Sequence, residues 1–175
     1  METLRRLYAR LRLRVNEAKS AVARPWDRKF LGYSFWVAPG RVIRPCVAPA
    51  ALAAMKARAR LITSRTGGRS MEAVVAELRS YLPGWKRYFQ LAETPRIFRN
   101  LDKWLHRRLR AVQLKQWKRG TTIFRELRAR GVPQHVAALA ALFARSWWKV
   151  AGHKALQIAL PTNYYVRLGV PRLAS

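Results

Sequence analysis

Acidic residues are scarce in this sequence. Its 175 residues include eight Asp or Glu against 36 Lys or Arg, which gives a net charge of +28 at pH 7. Such an excess makes a compact chain repel itself and implies a partner dense in negative charge, with nucleic acid as the leading candidate. Half of the residues are hydrophobic, which is enough to bury a core, so we expect a folded chain.

Cysteine, histidine and long apolar runs are scarce as well. The single cysteine, Cys46, excludes a disulfide within the chain and a cysteine-based zinc site, and it fits a reducing cytoplasm. The longest apolar run, residues 136–144, is far too short to cross a membrane. The three histidines are dispersed, and the acidic residues form no pair that suggests a metal site. We therefore assign no catalytic residue and no metal ligand.

The most informative segment is RNLDKWLHRRLRAVQLKQWKRG, residues 99–120. It carries eight Lys or Arg against one Asp, and its hydrophobic spacing predicts one continuous helix. Basic residues three and four positions apart share one face of that helix, beside an apolar stripe that can dock on a core. The basic face comprises Arg99, Lys103, Arg107 and Arg110, and the stripe comprises Leu101, Leu105, Leu109 and Val112.

Charge around this segment is nearly all of one sign. Residues 95–130 contain twelve basic residues against two acidic ones. A surface that serves only solubility usually mixes signs, so phosphate binding is favoured over a merely solvated face. Tryptophans at helical spacing usually pack in a core, but Trp117 lies between basic residues and could stack on a base. The predicted RNA contacts are Arg99, Lys103, Arg107, Arg108, Arg110, Lys115, Trp117, Lys118 and Arg119.

The start of the chain carries the β-strand signals. Helical spacing of apolar residues over 4–11 gives way to alternation over 11–15, which predicts a helix that runs into a strand. The aromatic segment 30–37 and the segment 41–47 flank the turn-forming Pro39-Gly40, so we predict a β-hairpin. A helix and a few strands do not make a stable sheet domain alone, so this region looks cut from something larger.

Helix signals dominate from Pro49 onward. Ser70 is the predicted cap of one helix, Pro83-Gly84 is predicted to break or kink it, and Thr94-Pro95 is predicted to begin the basic helix. Gly120 is the predicted stop of the basic helix.

The last third of the chain continues as helices. Thr121 or Thr122 is predicted to cap a short helix that ends near Gly131. Pro133 is predicted to begin another helix, and a short helix follows Pro161. The side of the helix after Pro133 that we expect to be apolar comprises Val136, Leu139, Ala140, Phe143 and Trp147.

These motifs, in this order, resemble group II intron reverse transcriptases. LRLRVNEAKSAVARPWDRKFLGYSF, residues 11–35, resembles the end of their palm. YLPGWKRYFQLAETPRIFRNLDKWLHRRLRAVQLKQWKR, residues 81–119, resembles the centre of their maturase-specific thumb, and ALPTNYYVRLGV, residues 159–170, resembles its ending. The resemblance implies an α+β, mostly α chain with a short palm-derived helix and a β-hairpin before a helical bundle.

The resemblance also implies an organisation and a set of site residues. Residues 1–48 would be a palm remnant, 49–130 the maturase-specific bundle and 131–175 its helical extension. In such a protein Lys19 would approach the phosphates of an incoming nucleotide. The segment that steadies the primer end corresponds to Phe30, Leu31, Gly32 and Tyr33.

The function that the resemblance implies is binding of intron RNA to help it fold for splicing, together with a grip on the template and primer. The family's catalytic Tyr-Ala-Asp-Asp-type strand has no counterpart here, so we expect no polymerase activity from this chain alone and no cofactor on it, since Mg²⁺ would belong to the missing palm. Further implied partners are a DNA target, an RNA–DNA duplex and an upstream reverse transcriptase fragment.

Two alternatives stay open. The chain could be the end of a split or truncated RNA-directed DNA polymerase that is active only with an upstream piece. It could also be a generic basic protein that binds nucleic acid.

Overall fold

A computed structural model describes residues 2–13, 16 and 23–174 of the chain. Within them lie a first helix, one β-hairpin and a succession of further helices, so the predicted α+β, mostly α fold is confirmed. The elements are α1 (Glu2–Arg10), β1 (Tyr33–Ala38), β2 (Val42–Val47), α2 (Pro49–Ile62), α3 (Met71–Tyr88), α4 (Pro95–Trp117), α5 (Gly120–Ala129), α6 (Gln134–Leu142), α7 (Trp147–Ala151), α8 (Lys154–Ala159) and α9 (Thr162–Arg167).

The predicted hairpin is present. β1 and β2 pair antiparallel, with Tyr33 opposite Val47 and Ala38 opposite Val42. Gly40 in the connection has φ +81°, a left-handed conformation that glycine adopts without strain. The strand expected over residues 11–15 is not seen at 11–13, where the chain turns after α1, and residues 14–15 lie outside the described residues.

An aromatic junction fastens the hairpin to the end of α3. The rings of Tyr33 and Phe89 lie 5.2 Å apart between centroids. The Tyr33 hydroxyl donates to the carbonyl of Tyr88, at 2.5 Å, and the Tyr88 hydroxyl donates to the carbonyl of Leu31, at 2.9 Å. The amide of Glu93 donates to the carbonyl of Pro45, at 2.9 Å. The hairpin therefore packs on the bundle through ring contacts and hydrogen bonds together.

Helix starts follow the sequence prediction better than helix ends. Ser70 caps α3, since its hydroxyl accepts from the amide of Ala73, and Pro95 opens α4. Of the break or kink predicted at Pro83-Gly84, the break is wrong, because α3 continues to Tyr88, and the kink stays a prediction. Pro83 lacks one amide donor, but the buried Leu82 and Phe89 hold both sides of it against the core. Packing outweighs the local signal there.

The end of the basic helix also differs from its prediction. α4 ends at Trp117, where Lys118 leaves the helix with φ +61°, and Gly120 begins α5 instead of stopping α4. A Cβ built on Gly120 would lie 3.0 Å from the carbonyl oxygen of Ala141. Glycine at this position therefore lets the α6 backbone approach closely.

Two further helix predictions need correction. Thr121 and Thr122 lie inside the first turn of α5, so neither is its cap, although α5 does end before Gly131. α6 stops at Leu142, so Trp147 belongs to α7, and Phe143 and Leu139 are exposed. The short helix expected after Pro161 is present as α9.

The core lies between the helices that follow the hairpin. Its largest fully buried side chains come from α2, α3, α4, α5 and the segment from α8 to α9. Burial of this apolar surface is what offsets the self-repulsion of the charge. These side chains include Met55, Ile62, Leu78, Leu82, Leu105, Leu109, Ile123, Leu127, Leu156, Leu160 and Tyr165.

Asp102, the one acidic residue of the basic segment, holds the end of the chain. Its side chain is buried, its Oδ1 accepts from the amide of Leu173 and its Oδ2 accepts from the amide of Ala174, both at 2.9 Å. A carboxylate that accepts from two amides makes strong, charge-assisted bonds. The tail after α9 is thereby fixed on α4.

We expect Asp102→Ala to lower the free energy of unfolding by about 1–3 kcal/mol, because two amides lose their acceptor. Urea unfolding followed by circular dichroism measures this. Asp102→Asn, which keeps one acceptor oxygen, should show a smaller loss. Asp27→Ala removes an exposed carboxylate and serves as the control. Equal stability of Asp102→Ala and the control would contradict the role of Asp102.

His106 lies one turn after Asp102 and is buried against Tyr165, with 5.6 Å between ring centroids. Burial lowers the pKa of His106; Asp102 opposes that shift, whereas Arg110 and Arg172 reinforce it. Because the pKa is lower in the folded state, the unfolded state binds more protons as the pH falls below about 6.5. The stability present above that pH is lost as the pH falls through the folded-state pKa.

We therefore expect the free energy of unfolding to fall between about pH 7.5 and about pH 5.5, and His106→Leu to weaken that dependence. Urea unfolding at the two pH values tests this. His135→Leu, at an exposed position, should keep the pH dependence of the parent chain. A dependence that His106→Leu leaves unchanged would assign the titration to another group.

Candidate nucleic-acid interface

Positive charge far exceeds negative charge on the described surface. The ion pairs of the described residues place Glu77 between Arg58 and Arg69 and place Glu126 beside Arg130. Most of the 36 basic residues have no carboxylate to pair with, since the whole chain has eight. They must bind other acceptors, remain in water or bind an external anion.

Three arginines of the predicted RNA-binding set bind other parts of the fold. Arg110 is 9% exposed, and its Nε and Nη2 donate to the carbonyl of Leu160, at 3.1 and 3.0 Å. Arg107 donates through Nε and Nη2 to the carbonyl of Trp148, at 3.1 and 2.7 Å. Arg107 and Arg110 therefore do not share one solvent-facing surface as the helical spacing predicts.

Arg108 binds the end of α2. Its Nε donates to the Thr63 hydroxyl at 2.9 Å, and its Nη2 donates to the carbonyls of Thr63 and Arg60, at 3.0 and 3.2 Å. The amide of Ser64 donates to the carbonyl of Leu61 and not to that of Arg60, its partner in a regular α-helix. The Arg60 carbonyl is therefore available to Arg108. Burial lowers the pKa of Arg108, with smaller contributions from nearby arginines.

The shared target of these guanidinium groups is the end of a helix. The last four carbonyls of a helix lack amide partners and carry a partial negative charge. Leu160 is the C-cap residue directly after α8, Thr63 is the C-cap residue directly after α2, and Trp148 belongs to the last turn of α7. A Cβ on Gly152 would lie 2.8 Å from Cζ of Arg107, so glycine leaves room for that guanidinium. These arginines hold α4 in the bundle.

The other predicted basic residues are exposed. Arg99 and Lys103 lie on the first half of α4, and Lys115, Lys118 and Arg119 lie at and beyond its end. None of the five has a side-chain hydrogen bond or ion pair within the described part of the chain. They are therefore available to an external polyanion.

Trp117 is not presented for stacking. It is 7% exposed, and Cζ of Arg130 lies 5.2 Å from its ring centroid. The stacking predicted for Trp117 thus has no open ring face to support it, because the ring packs in the core between α4 and α5. The role of Trp117 as an RNA contact stays a prediction.

Three other tryptophans combine partial exposure with a cationic neighbour. Cζ of Arg65 lies 4.0 Å from the Trp147 ring centroid, and Cζ of Arg107 lies 4.4 Å from that of Trp148. Trp104 has Arg60 at 5.7 Å from its ring centroid. The sequence does not predict these pairs, because the two partners of each pair are far apart in the chain. The adjacent tryptophans 147 and 148 were the only local signal.

The predicted primer-contact segment forms an exposed turn before β1. Phe30 and Tyr33 bond each other through their backbones, both bonds at 2.9 Å, and Phe30 and Leu31 are 68% and 66% exposed. Gly32 has φ +78°, and a Cβ there would lie 3.2 Å from Cζ of Phe89, so conformation and packing both favour glycine. Lys19 lies outside the described residues.

The described residues contain neither a cluster of metal ligands nor a helix that could span a membrane. No group of three or more His, Cys, Asp or Glu side chains could hold a metal ion there, so these residues do not fit a Mg²⁺ site. No described helix combines the length and the apolar character that crossing a bilayer requires.

The fold and its surface define a basic helical bundle preceded by a β-hairpin. Residues 52–131, from α2 to the end of α5, match the family model of the group II intron maturase-specific domain. Over this segment, which is less than half of the chain, the resemblance to the C-terminal part of group II intron maturases is confirmed. No curated protein matches the chain. The domain boundaries at 48/49 and 130/131 stay predictions.

We expect Arg110→Ala to lower the free energy of unfolding by about 1–3 kcal/mol, because the buried Leu160 carbonyl loses its donor. Arg99→Ala, at an exposed position of the same helix, should change it by less than about 0.5 kcal/mol. Urea unfolding of both variants measures the difference. If Arg110→Ala kept full stability and lost RNA affinity instead, Arg110 would be a direct contact.

Proposed function

We propose that this chain binds group II intron RNA and assists its folding for splicing. The observation that carries the proposal is the match of residues 52–131 to the maturase-specific domain, in which α4 presents Arg99, Lys103 and Lys115, three exposed cations with no carboxylate partner among the described residues. In this proposal, binding takes place in the cytoplasm. A chain with a single cysteine forms no internal disulfide, which fits a reducing compartment.

The positions of the exposed cations support contact with an extended RNA. α4 has 23 residues, which corresponds to about 35 Å. Arg99 and Lys103 lie near its start, and Lys115 and Lys118 lie near its end. Cations separated by this distance can contact phosphates on well-separated parts of a folded RNA. In this proposal Arg107, Arg108 and Arg110 position α4 and contribute little direct contact.

The turn before β1 supports a further contact with template and primer, which the resemblance assigns to it. Phe30 and Leu31 are exposed on a turn that Gly32 and the aromatic junction hold in place. Apolar side chains on a rigid turn can pack on a sugar or a base of a nucleic acid strand. A DNA target or an RNA–DNA duplex is thus a second partner in this proposal.

A second candidate is a chain that acts as the end of a reverse transcriptase together with an upstream palm. The observation that favours it is an apolar surface on and beside the hairpin, where Phe30, Leu31 and Leu91 are 68%, 66% and 69% exposed. The surface is lined by Phe30, Leu31, Tyr33, Phe35, Pro45, Tyr88 and Leu91.

We expect group II intron RNA to compete more strongly for the chain than an unrelated structured RNA of equal length at physiological salt. Fluorescence anisotropy competition measures this. About five phosphate contacts should also give a slope of log K against log salt of about −4. Equal competition by the two RNAs would contradict intron recognition and leave a generic basic binder. Reverse transcriptase activity that appears only when a palm fragment is added would favour the second candidate.

A further inference from the structure

We propose that a pocket between residues 63–70 and the end of α4 binds a backbone phosphate of an unpaired RNA segment. This assignment rests on the proposed RNA-binding function and adds to it the kind of RNA and the place of contact. The loop pocket, as we name it, has a volume of about 300 Å³ and includes Arg65, Thr66, Gly68, Arg69, Lys115 and Lys118 in its lining.

The lining of the loop pocket is cationic. It contains four basic side chains and no acidic one. Lys115 and Lys118 are exposed and have no side-chain partner in the described part of the chain. Arg69 is paired with Glu77, at 2.7 Å, but Glu77 also binds Arg58, at 2.9 Å. One carboxylate thus serves two guanidinium groups, and the pocket keeps an excess of positive charge that attracts an anion.

Arg65 is held beside the Trp147 ring at the edge of the loop pocket. Its Nε donates to the carbonyl of Ala111 at 3.2 Å, and its Cζ lies 4.0 Å above the Trp147 ring. Its two Nη groups make no hydrogen bond within the described residues. They are free to donate to two oxygens of a phosphate. The guanidinium face opposite Trp147 offers a plane on which a base can stack.

The loop itself allows a polymer to come close. The hydroxyls of Ser64 and Thr66 are hydrogen-bonded at 3.0 Å, which stabilises the turn after α2. Gly68 has φ +60°, and no atom lies within 4 Å of the position that a Cβ would occupy there. The backbone is therefore open to a ligand that passes over the loop.

The size of the loop pocket favours a phosphate with its sugar over a whole small molecule. A volume of about 300 Å³ is at the lower limit for pockets that enclose drug-sized ligands. A cationic groove beside a stacking plane is the usual arrangement for single-stranded nucleic acid, since paired bases have no free face to stack. An unpaired segment therefore fits the pocket better than a duplex.

The test compares two double variants of the 175-residue chain. Lys115→Gln/Lys118→Gln removes two charges from the loop pocket. Lys29→Gln/Lys154→Gln removes the same charges from exposed positions that do not line it. The probes are an oligouridine of about 12 nucleotides and an RNA duplex of the same length, within the span of single-strand sites. Neither probe depends on intron recognition.

We expect the pocket variant to bind the single strand roughly tenfold more weakly than the parent chain, because charge-assisted hydrogen bonds are lost. Its slope of log K against log salt should fall by about 0.7 or more. The pocket variant should lose no more than about twofold in affinity for the duplex. The control variant should lose no more than about twofold in affinity for either probe. Equal losses in the two variants, or a larger loss on the duplex, would overturn the proposal.

Arg65→Lys tests the stacking plane, since lysine keeps the charge and lacks the planar group. We expect weaker binding of the single strand and unchanged binding of the duplex. Urea unfolding is measured in parallel because Arg65 packs on Trp147, and if this variant unfolds, the lysine variants decide. If the parent chain shows no preference for intron RNA, the proposed function is contradicted. The binding measurements with oligouridine would still test the loop pocket, because they do not depend on intron recognition.

Discussion

Donation from arginine to the carbonyls at helix ends is the interaction on which the rest of this structure depends. Arg108 binds the end of α2, Arg110 the end of α8, and Arg79 the carbonyls of Leu168 and Gly169 after α9. A helix end needs hydrogen-bond donors and favours positive charge, and the planar guanidinium satisfies both needs at once. Since each donor belongs to a different helix from its acceptor, these bonds also set how the helices pack.

This interaction divides the basic residues into two groups with different tasks. Arginines within the bundle bind carbonyls or lie over tryptophan rings, because a guanidinium is weakly hydrated and tolerates partial burial. Lys103, Lys115 and Lys118 are exposed, as expected for strongly hydrated ammonium groups. Fewer than the 36 basic side chains are therefore free to contact an external anion, and Arg99, Lys103 and Lys115 on α4 are among those that are. The buried Asp102 completes the arrangement by fixing the tail on the same helix.

Local sequence signals predicted an element correctly where the residues that stabilise the element are close to each other in the chain. The Ser70 cap, the start of α4 at Pro95 and the hairpin around Pro39-Gly40 all depend on contacts within a few residues. The helix break predicted at Pro83, the helix stop predicted at Gly120 and the open ring face that stacking by Trp117 requires are not found, because the conformation or exposure of these residues depends on contacts with other parts of the fold. Buried neighbours hold α3 together at Pro83, the Ala141 carbonyl requires the space at Gly120, and Arg130 covers Trp117. For the candidate site, the basic segment was predictable and the accessibility of its members was not.

The sequence by itself determined that this chain is basic and mostly helical and that residues 52–131 resemble a maturase-specific domain, since composition, helical periodicity and ordered motifs are local properties. Tertiary structure decided which cations face solvent. Arg107, Arg108 and Arg110 find their acceptors 41, 45 and 50 residues away. Helical periodicity places a side chain on one face of its own helix, but it contains no information on which distant carbonyl that face will meet. Only the packed bundle separates the arginines that bind carbonyls within the fold from the basic side chains that stay exposed to solvent, which include Arg99 and Arg119 as well as the lysines.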